Sequence, residues 1–462
     1  MTMMANKMFI SRNPNKSMMT MRHFVVFTLA LCLFGSVAVV ADDESLSNSL
    51  ASIIPSTRNN DSTIQAHQQR VVESLRSISM GTEQFSLEFL KRLSVAVSNV
   101  NYDFIVSPFS IWSLLVLTAE GADGDTYTQL QQVLRLPQDL SYLRMAYKHI
   151  QDSLNVNSST VEVAINQALF SDINRPVESE FAYKLDQQYQ AEHMPVDFHN
   201  PIETYNQIND YVSNQTHGRI NKIVNMEDLR EAQMILLSAL FFRAQWKSPF
   251  NISQTTEEPF YDENDNFQEN VNMMFQRGSF SYTGINELDS LVLELPYGDQ
   301  ENLSMLLLLP RKGVLLTSVL EKLSSFGIAR VITELRRADS DFEEDQVEVF
   351  LPRFSITADF TLNVILEQMG LTDIFNVKKA NLSRISRHPI YLSRLIHKAQ
   401  IDVNEVGTVA TAATGAIFAN KAISPRFQAN RPFAFLIIEK NTNTLLFCGQ
   451  VRKPGKVDFK QL

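Results

Sequence analysis

Between Glu405 and Asn420 the chain reads Glu-Val-Gly-Thr-Val-Ala-Thr-Ala-Ala-Thr-Gly-Ala-Ile-Phe-Ala-Asn, acidic at its first residue and then without a charge until Lys421. Glycine, threonine and valine make this run a poor helix despite its alanines, and it offers too little apolar surface to hold a surface loop in one shape. The same residues suit a strand. Side chains alternate along a strand, so Thr408, Ala410, Ala412, Thr414 and Ala416 would share one face, small enough to slide between existing strands without a clash. Lys421 adds a second kind of chemistry. It ends the uncharged run with a single cation, a side chain that pairs with a carboxylate. The plain alternative is a solvated surface lysine, which the absence of other charges in the run disfavours. A disordered Ala/Thr linker is the plain reading of the whole run, yet this run leads to the apolar stretch Phe433-Ala-Phe-Leu-Ile-Ile438.

Signatures of enzymes are missing. There is no Gly-x-Ser-x-Gly elbow, no His-Glu-x-x-His, no Gly-x-x-x-x-Gly-Lys and no Cys-x-x-Cys, and Ser107 with His397 lacks a placed acid. Gly121-Ala-Asp-Gly-Asp125 has neither the ligand spacing of a calcium loop nor the form of a phosphate loop and reads as a helix-end turn. No metal or cofactor is expected.

The 462 residues are 44% apolar and 20% charged, enough for a large core in one big domain or two ordinary ones. Lys7, Arg12, Lys16 and Arg22 precede the apolar run Phe24 to Val40, no acidic residue comes before Asp42, and small residues surround Ala38 and Ala41. This pattern reads as a secretory signal over residues 1–41, cleaved near Ala38 or Ala41. An uncleaved signal anchor is the competing reading. Without those residues, 37 basic side chains face 51 acidic ones, a net charge of −14. Such acidity argues against nucleic acid and anionic membrane surfaces as partners. Of the two cysteines, Cys32 falls within the signal and Cys448 within Leu445-Leu-Phe-Cys448, so no internal disulfide is expected and Cys448 reads as a small buried hydrophobe.

Asn-x-Ser/Thr sequons stand at Asn60, Asn157, Asn214, Asn251, Asn302 and Asn381, each usable on an exposed site in the secretory pathway. Residues 42–79 are rich in Ser, Asn, Asp and Gln and read as a mobile extension, although Ile64, Val71, Leu75 and Ile78 keep helical spacing. The folded domain, 80–462, is predicted to begin with a helix capped by Thr82 and carrying Phe85, Phe89, Leu90 and Leu93. Strand-like runs recur at Ile235 to Phe242, Leu291 to Leu295, Met305 to Leu309, Val347 to Leu351 and Phe433 to Ile438, with helical patterns such as Leu362 to Met369 between them. Without regular alternation or a repeat, this order indicates an α+β fold with large mixed sheets.

The acidic residue, Gly407, Thr408 and the small residues that follow resemble the hinge and reactive-centre loop of inhibitory serpins, and further blocks fall in that family's order. Ser107-Pro-Phe-Ser110 precedes Gly121-Ala-Asp-Gly-Asp-Thr126 and Gln129-Leu130; then come Asn166-Gln-Ala-Leu-Phe170, Tyr189-Gln-Ala-Glu192, Val196-Asp-Phe198 and Thr216-His-Gly-Arg-Ile220. Downstream lie Trp246-Lys-Ser-Pro-Phe250, Met273-Met274, Glu294-Leu-Pro-Tyr297, Leu351-Pro-Arg-Phe354, Met369-Gly370, Arg431-Pro-Phe433 and Phe447-Cys-Gly-Gln-Val451. The resemblance spans almost all of 80–462 and implies about nine helices around three β-sheets with an exposed reactive-centre loop. Sugar at Asn302 matches the family, whereas Asn381 falls where the family packs a leucine.

The resemblance also implies an inhibitor rather than an enzyme, and a site. Counting fourteen residues on from Gly407, or eleven back from Pro432, reaches Lys421, which makes Lys421-Ala422 the expected scissile bond. Phe418 and Arg426 are the runners-up. Attack on Lys421 by a trypsin-like serine protease would leave an acyl-enzyme, and the freed loop, hinged at Glu405 and Gly407, would insert into the main sheet with the protease attached. Adding roughly 15 strand residues at about 0.5–1.5 kcal/mol per backbone hydrogen bond releases on the order of 10 kcal/mol. Ser107, Ser110 and His397 would form the polar cluster beneath the opening strands, and Trp246 the aromatic at the insertion mouth. Ser238 stands where the family commonly has an Asn, which implies a sheet that opens more easily, and Val406 where a second Glu often precedes the glycine. The stretch Tyr142 to Leu154 carries only Arg144, Lys148 and His149, so heparin is not expected to act strongly. A monomeric, secreted glycoprotein resembling arthropod serpins of melanisation cascades is the expectation, and a carrier or chaperone of the same family the alternative.

Overall fold

Among the described residues, apolar runs such as those of Met234–Ala244, Leu303–Pro310 and Phe433–Glu439 become central strands, because a strand covered on both faces tolerates no polar alternation. The computed structural model describes residues 62–100, 102–137, 140–154, 160–341, 346–407 and 425–455. Among these, nine α-helices and fifteen strands form three sheets. The helices are α1 (Ser62–Val97), α2 (Pro108–Gly121), α3 (Gly124–Leu134), α4 (Leu140–Leu154), α5 (Ser179–Tyr189), α6 (Pro201–Gln215), α7 (Leu316–Phe326), α8 (Ile328–Asp341) and α9 (Asn363–Gln368).

A five-stranded sheet has the order β11 (Phe354–Thr361), β12 (Arg394–Val403), β4 (Met234–Ala244), β2 (Val161–Asp172) and β3 (Glu192–Val196). Its middle is a parallel pair, β12 beside β4, in register from Arg394 opposite Ile235 to Gln400 opposite Phe241. Six antiparallel strands, β1 (Phe104–Val106), β15 (Thr444–Val451), β14 (Phe433–Glu439), β9 (Leu303–Pro310), β8 (Ser290–Tyr297) and β7 (Tyr282–Ile285), form a second sheet whose β9, β14 and β15 are buried at every position. The third sheet is β13 (Arg426–Gln428), β10 (Val347–Pro352), β6 (Phe267–Gly278) and β5 (Thr256–Tyr261). Each strand-like run read from the sequence lies within one of these strands.

Two apolar clusters mark the faces of the five-stranded sheet. Leu236, Leu240, Phe242 and Ala244 of β4, with Leu395, Ala399, Ile401 and Val403 of β12, point into the main core. Ile235, Leu237, Ala239 and Ile396 point the other way and pack with Ile208 and Val212 of α6. The alternation follows from the period of two.

Thr82 is not a helix start. The first helix begins at Ser62 and runs unbroken through residues 62–79, the part placed by composition in the extension. Inside it the Thr82 hydroxyl donates to the carbonyls of Ile78 at 2.8 Å and Ser79 at 3.0 Å, a bonding mode open to a mid-helix threonine. Phe85, Phe89, Leu90 and Leu93 are buried, as expected. The Gly121 segment is a turn between helices: Asp123 accepts from the Gly124 amide at 2.9 Å and caps α3. Ser107 caps α2, with Pro108 in the first turn, where its missing N–H costs nothing.

Candidate functional site

Where β12 ends, the chain reverses. Asn404 and Gly407 exchange backbone bonds, Asn404 N donating to Gly407 O at 2.8 Å and Gly407 N to Asn404 O at 3.2 Å, so Glu405 and Val406 form a two-residue turn. Gly407 also bridges Gln245, the residue that follows β4. It therefore lies between extensions of the two parallel strands, antiparallel to both. Its φ of 141° and its packing both demand glycine: a Cβ there would stand 2.2 Å from the Ala244 carbonyl oxygen and 2.7 Å from Trp246 N.

The turn is held from below. Trp246 N donates to Val406 O at 2.8 Å and its indole to Asn404 O at 3.0 Å, while the ring stacks on Tyr297 with centroids 4.4 Å apart. Glu405 is 5% exposed. Its carboxylate takes a forked pair from Arg353, whose Nε lies 2.8 and 2.9 Å from the two oxygens, and a bond from the Thr255 hydroxyl; its carbonyl accepts from Phe250 N at 2.7 Å. A planar guanidinium matches a carboxylate in this way. Arg353 belongs to the block Leu351-Pro-Arg-Phe354, whose sequence alone assigns it no role. Its partner is 52 residues away, and no local signal reports such a pair.

Halfway along the parallel pair, the residues expected to cluster do so. The Ser107 amide donates to His397 Nε2 at 3.1 Å, and His397 Nδ1 lies 3.1 Å from the Ser238 hydroxyl. Ser238 is bonded in turn to the Ser110 hydroxyl, and Gln167 donates to the Ser110 carbonyl at 2.9 Å and to the Ser113 hydroxyl. Ser238 thus joins the network in its own right and spans the seam, since it sits directly opposite His397 across the β4–β12 pair. Burial holds the His397 imidazole neutral, with its pKa pushed down to about 3. Gln167 and Ser113 were missed. The period of two puts Gln167 on the inner face with Val163 and Ile165, and Ser113 is one turn beyond Ser110, which are the signals that would have found them.

Thr408, Ala410, Ala412, Thr414, Phe418, Lys421 and Ala422 lie outside the described residues, as do Asn60 and Asn157. Arg426, the runner-up cleavage point, belongs to β13, pairs with Glu348 of β10 and sits 4.1 Å over the Phe350 ring, which removes it from an extended exposed loop. Asn214 and Asn381 are exposed; Asn251 and Asn302 are half-buried, the first with its side-chain oxygen accepting from the Ser253 amide at 3.0 Å. Leu382, next to Asn381, is the buried residue of that pair. Cys448 is buried, and burial pushes its thiol pKa up. Among the described residues no helix is long and apolar enough to cross a membrane, and no His, Cys, Asp and Glu group could hold a metal ion.

Comparison with known proteins adds a family. A family model described as Serpin (serine protease inhibitor) matches residues 80–454. Human Serpin B11 is 33% identical over 400 residues, covering 82% of this chain and 100% of that protein. Human antithrombin-III is 32% identical over 392 residues, covering 82% of each. Among solved structures, human thyroxine-binding globulin complexed with thyroxine superposes with a TM-score of 0.72 at 26% identity, over 82% of this chain and 99% of that one. Serpin48 of the insect Tenebrio molitor gives a TM-score of 0.68 at 25% identity, over the same shares.

Proposed function

The chain belongs to the serpin family, and from that premise we propose that it is a secreted, suicide-type inhibitor of trypsin-like serine proteases, cut at Lys421-Ala422. The observation that carries this reading is the position of Gly407, already reversed and flanked by the extensions of β12 and β4. Continuing its register down the parallel pair puts Thr408 opposite Val403 and Ala244, Ala410 opposite Ile401 and Phe242, Ala412 opposite Ala399 and Leu240, and Thr414 opposite His397 and Ser238. Those partners face the core, so the face of the new strand that meets the core is the one made of small residues. Thr414 would arrive at the network that closes the seam and offer it another hydroxyl.

The chemistry is that of an interrupted hydrolysis. The protease serine attacks the Lys421 carbonyl, the Ala422 amine leaves, and an ester joins Lys421 to the enzyme. Insertion of 408–421 as an antiparallel strand between β12 and β4 then draws the tethered enzyme along the sheet before water can free it. Nothing in this chain needs to act as acid, base or nucleophile, which agrees with the lack of enzyme signatures.

Secretion is supported by the basic and apolar N-terminus. The acidic extension and the likeness to an insect serpin support a target in an extracellular cascade of the melanisation type. The test is incubation with a panel of trypsin-like proteases. A detergent-stable complex and a released peptide beginning at Ala422 are expected; clean cleavage without a complex refutes the inhibitor. The likeness to thyroxine-binding globulin favours a carrier as second reading. Loop cleavage that leaves the melting temperature unchanged would support it.

A further inference from the structure

A sheet edge offers unpaired backbone donors and acceptors to any passing strand, and folded chains blunt their edges by keeping them short or by placing proline there. Among the described residues the three sheets end in six edge strands. β1 and β13 are three residues long and β7 is four. β5 carries Pro259 and β3 carries Pro195. Both prolines turn their nitrogen to the open side, where no ladder bond is lost. Tyr261 N, two residues beyond Pro259, points away from β6 to Asn430 O at 2.9 Å, and Val196, next to Pro195, gives its carbonyl to Ile173 N just past β2 at 3.0 Å. β11 has neither device, since it runs eight residues, Phe354–Thr361, without a proline. Leu362 N donates to Leu395 O at 2.8 Å, which turns the even-numbered residues of β11 toward β12 and leaves the amides and carbonyls of Ser355, Thr357, Asp359 and Thr361 facing outward. The outward donor before them, Arg353 N, reaches Asn272 O at 2.9 Å; these four have no backbone partner on that side among the described residues, and all four are exposed.

We propose that the β11 edge is a self-association surface, pairing antiparallel with β11 of a second copy about a twofold axis at Ala358. The strand is complementary to itself in that register. Thr357 stands opposite Asp359 of the second copy and Ser355 opposite Thr361, so every outward residue meets an outward residue, and each Asp359 carboxylate meets a hydroxyl rather than its own twin. Nor is that carboxylate a bare charge that repels a strand, because Lys398 Nζ stands 3.3 Å from its Oδ2. On the core side, Ile356 faces Phe360 of the second copy. Phe360 is half-buried and packs edge-on against Tyr102, which is 39% exposed, with centroids 6.1 Å apart, and the added strand covers both rings. Pairing about a twofold axis closes on itself and stops at two chains. One strand pair is a small interface, so the dimer is weak and depends on concentration. It departs from the monomer expected from the sequence, and it does not rest on loop insertion.

Sedimentation equilibrium of the full chain over a concentration series is the test. The weight-average mass of the unaltered protein is expected to rise with concentration toward about twice that of one chain. Thr357→Pro removes an outward N–H and no bond to β12, so it should melt with the unaltered chain and keep the mass of one chain throughout. Thr357→Asp places like charges opposite each other at both symmetric positions and should raise the dissociation constant about twofold to thirtyfold. Adding Asp359→Thr to it leaves one acid in each pair again and should bring the unaltered value back. Thr357→Lys, which meets Asp359 of the second copy, should lower the constant by a similar factor. If Thr357→Pro proves misfolded, the charge series decides alone. A chain that stays single at every concentration, a folded Thr357→Pro variant that still dimerises, assembly that continues past two chains, or a double variant no tighter than Thr357→Asp overturns the proposal.

Discussion

The Ser107 amide donates to Nε2 of His397, which leaves that nitrogen unprotonated and puts the ring proton on Nδ1, facing the Ser238 hydroxyl at 3.1 Å. A second proton on the ring would meet an N–H donor head on. Burial pushes the pKa of His397 down to about 3 from an ordinary 6.5. The unfolded chain takes up that proton first, so the stability linked to this group is complete above pH 6.5 and is lost as the pH falls from 6.5 toward 3. Between pH 7.5 and 5.5 the loss from this group comes to about 1.4 kcal/mol. Urea unfolding at the two pH values measures it. His397→Gln, less stable at neutral pH, should shed about that much of the pH dependence, and an unchanged slope in the variant refutes the assignment.

Glu405 and Arg353 bury their charges against each other beside the hinge. Removing one partner of such a pair costs about 3–5 kcal/mol, since the other stays buried and unpaired. Glu405→Lys should lower stability by at least that amount, and adding Arg353→Glu should restore part of it. A double variant no better than the single one contradicts the pairing.

Gly407→Ala should be strongly destabilising, since the added methyl group would meet both an unfavourable φ and backbone atoms of β4 and its extension. Its φ of 141° costs an alanine about 1–3 kcal/mol before the clash with the Ala244 carbonyl is counted. Melting of the uncut protein should drop, and further than in Gly313→Ala, where a positive φ of 77° is kept but the methyl group meets nothing within 4 Å. Equal losses in the two variants would mean that the close approach to β4 does not matter.

Thr408→Arg would carry a cation under Ala244 and Val403, at a cost of several kcal/mol. The variant should be cut by proteases at the same bond and release them, so that the detergent-stable complex disappears while the Ala422 peptide still forms.

The register itself can be trapped. With Thr414→Cys and Ser238→Cys in one chain, a disulfide should form after loop cleavage and not before. Pairing the Thr414 cysteine with one at Ile235 should give none, and a bond there would mean a shifted register.

What could be read from the sequence divides along a physical line. The strands at Ile235, Met305 and Phe433 were legible because continuous burial leaves continuous apolar runs. The turn at Asp123 was legible because its residues carry their own conformational preferences. The polar cluster was legible only through family order; chemistry alone leaves Ser107 and His397 as ordinary buried residues. Pairings over long sequence distances, such as Arg353 with Glu405, leave no local trace. The start of α1 was misread for a related reason. Thr82 followed by Glu83 imitates a cap, and only the tertiary structure reveals that the hydroxyl bonds backward to Ile78 and that Glu83 reaches Ile328 N of another helix.

The twin bridges of Gly407 have a kinetic meaning. Zipping a new strand into a sheet is slow chiefly in its opening act, when a floppy chain must surrender freedom to make the earliest rung. Here that rung exists before any protease arrives. On the proposed reading, a cut loop would start at propagation, each further residue adding a rung next to one already formed, and the race against deacylation would begin with nucleation already behind it.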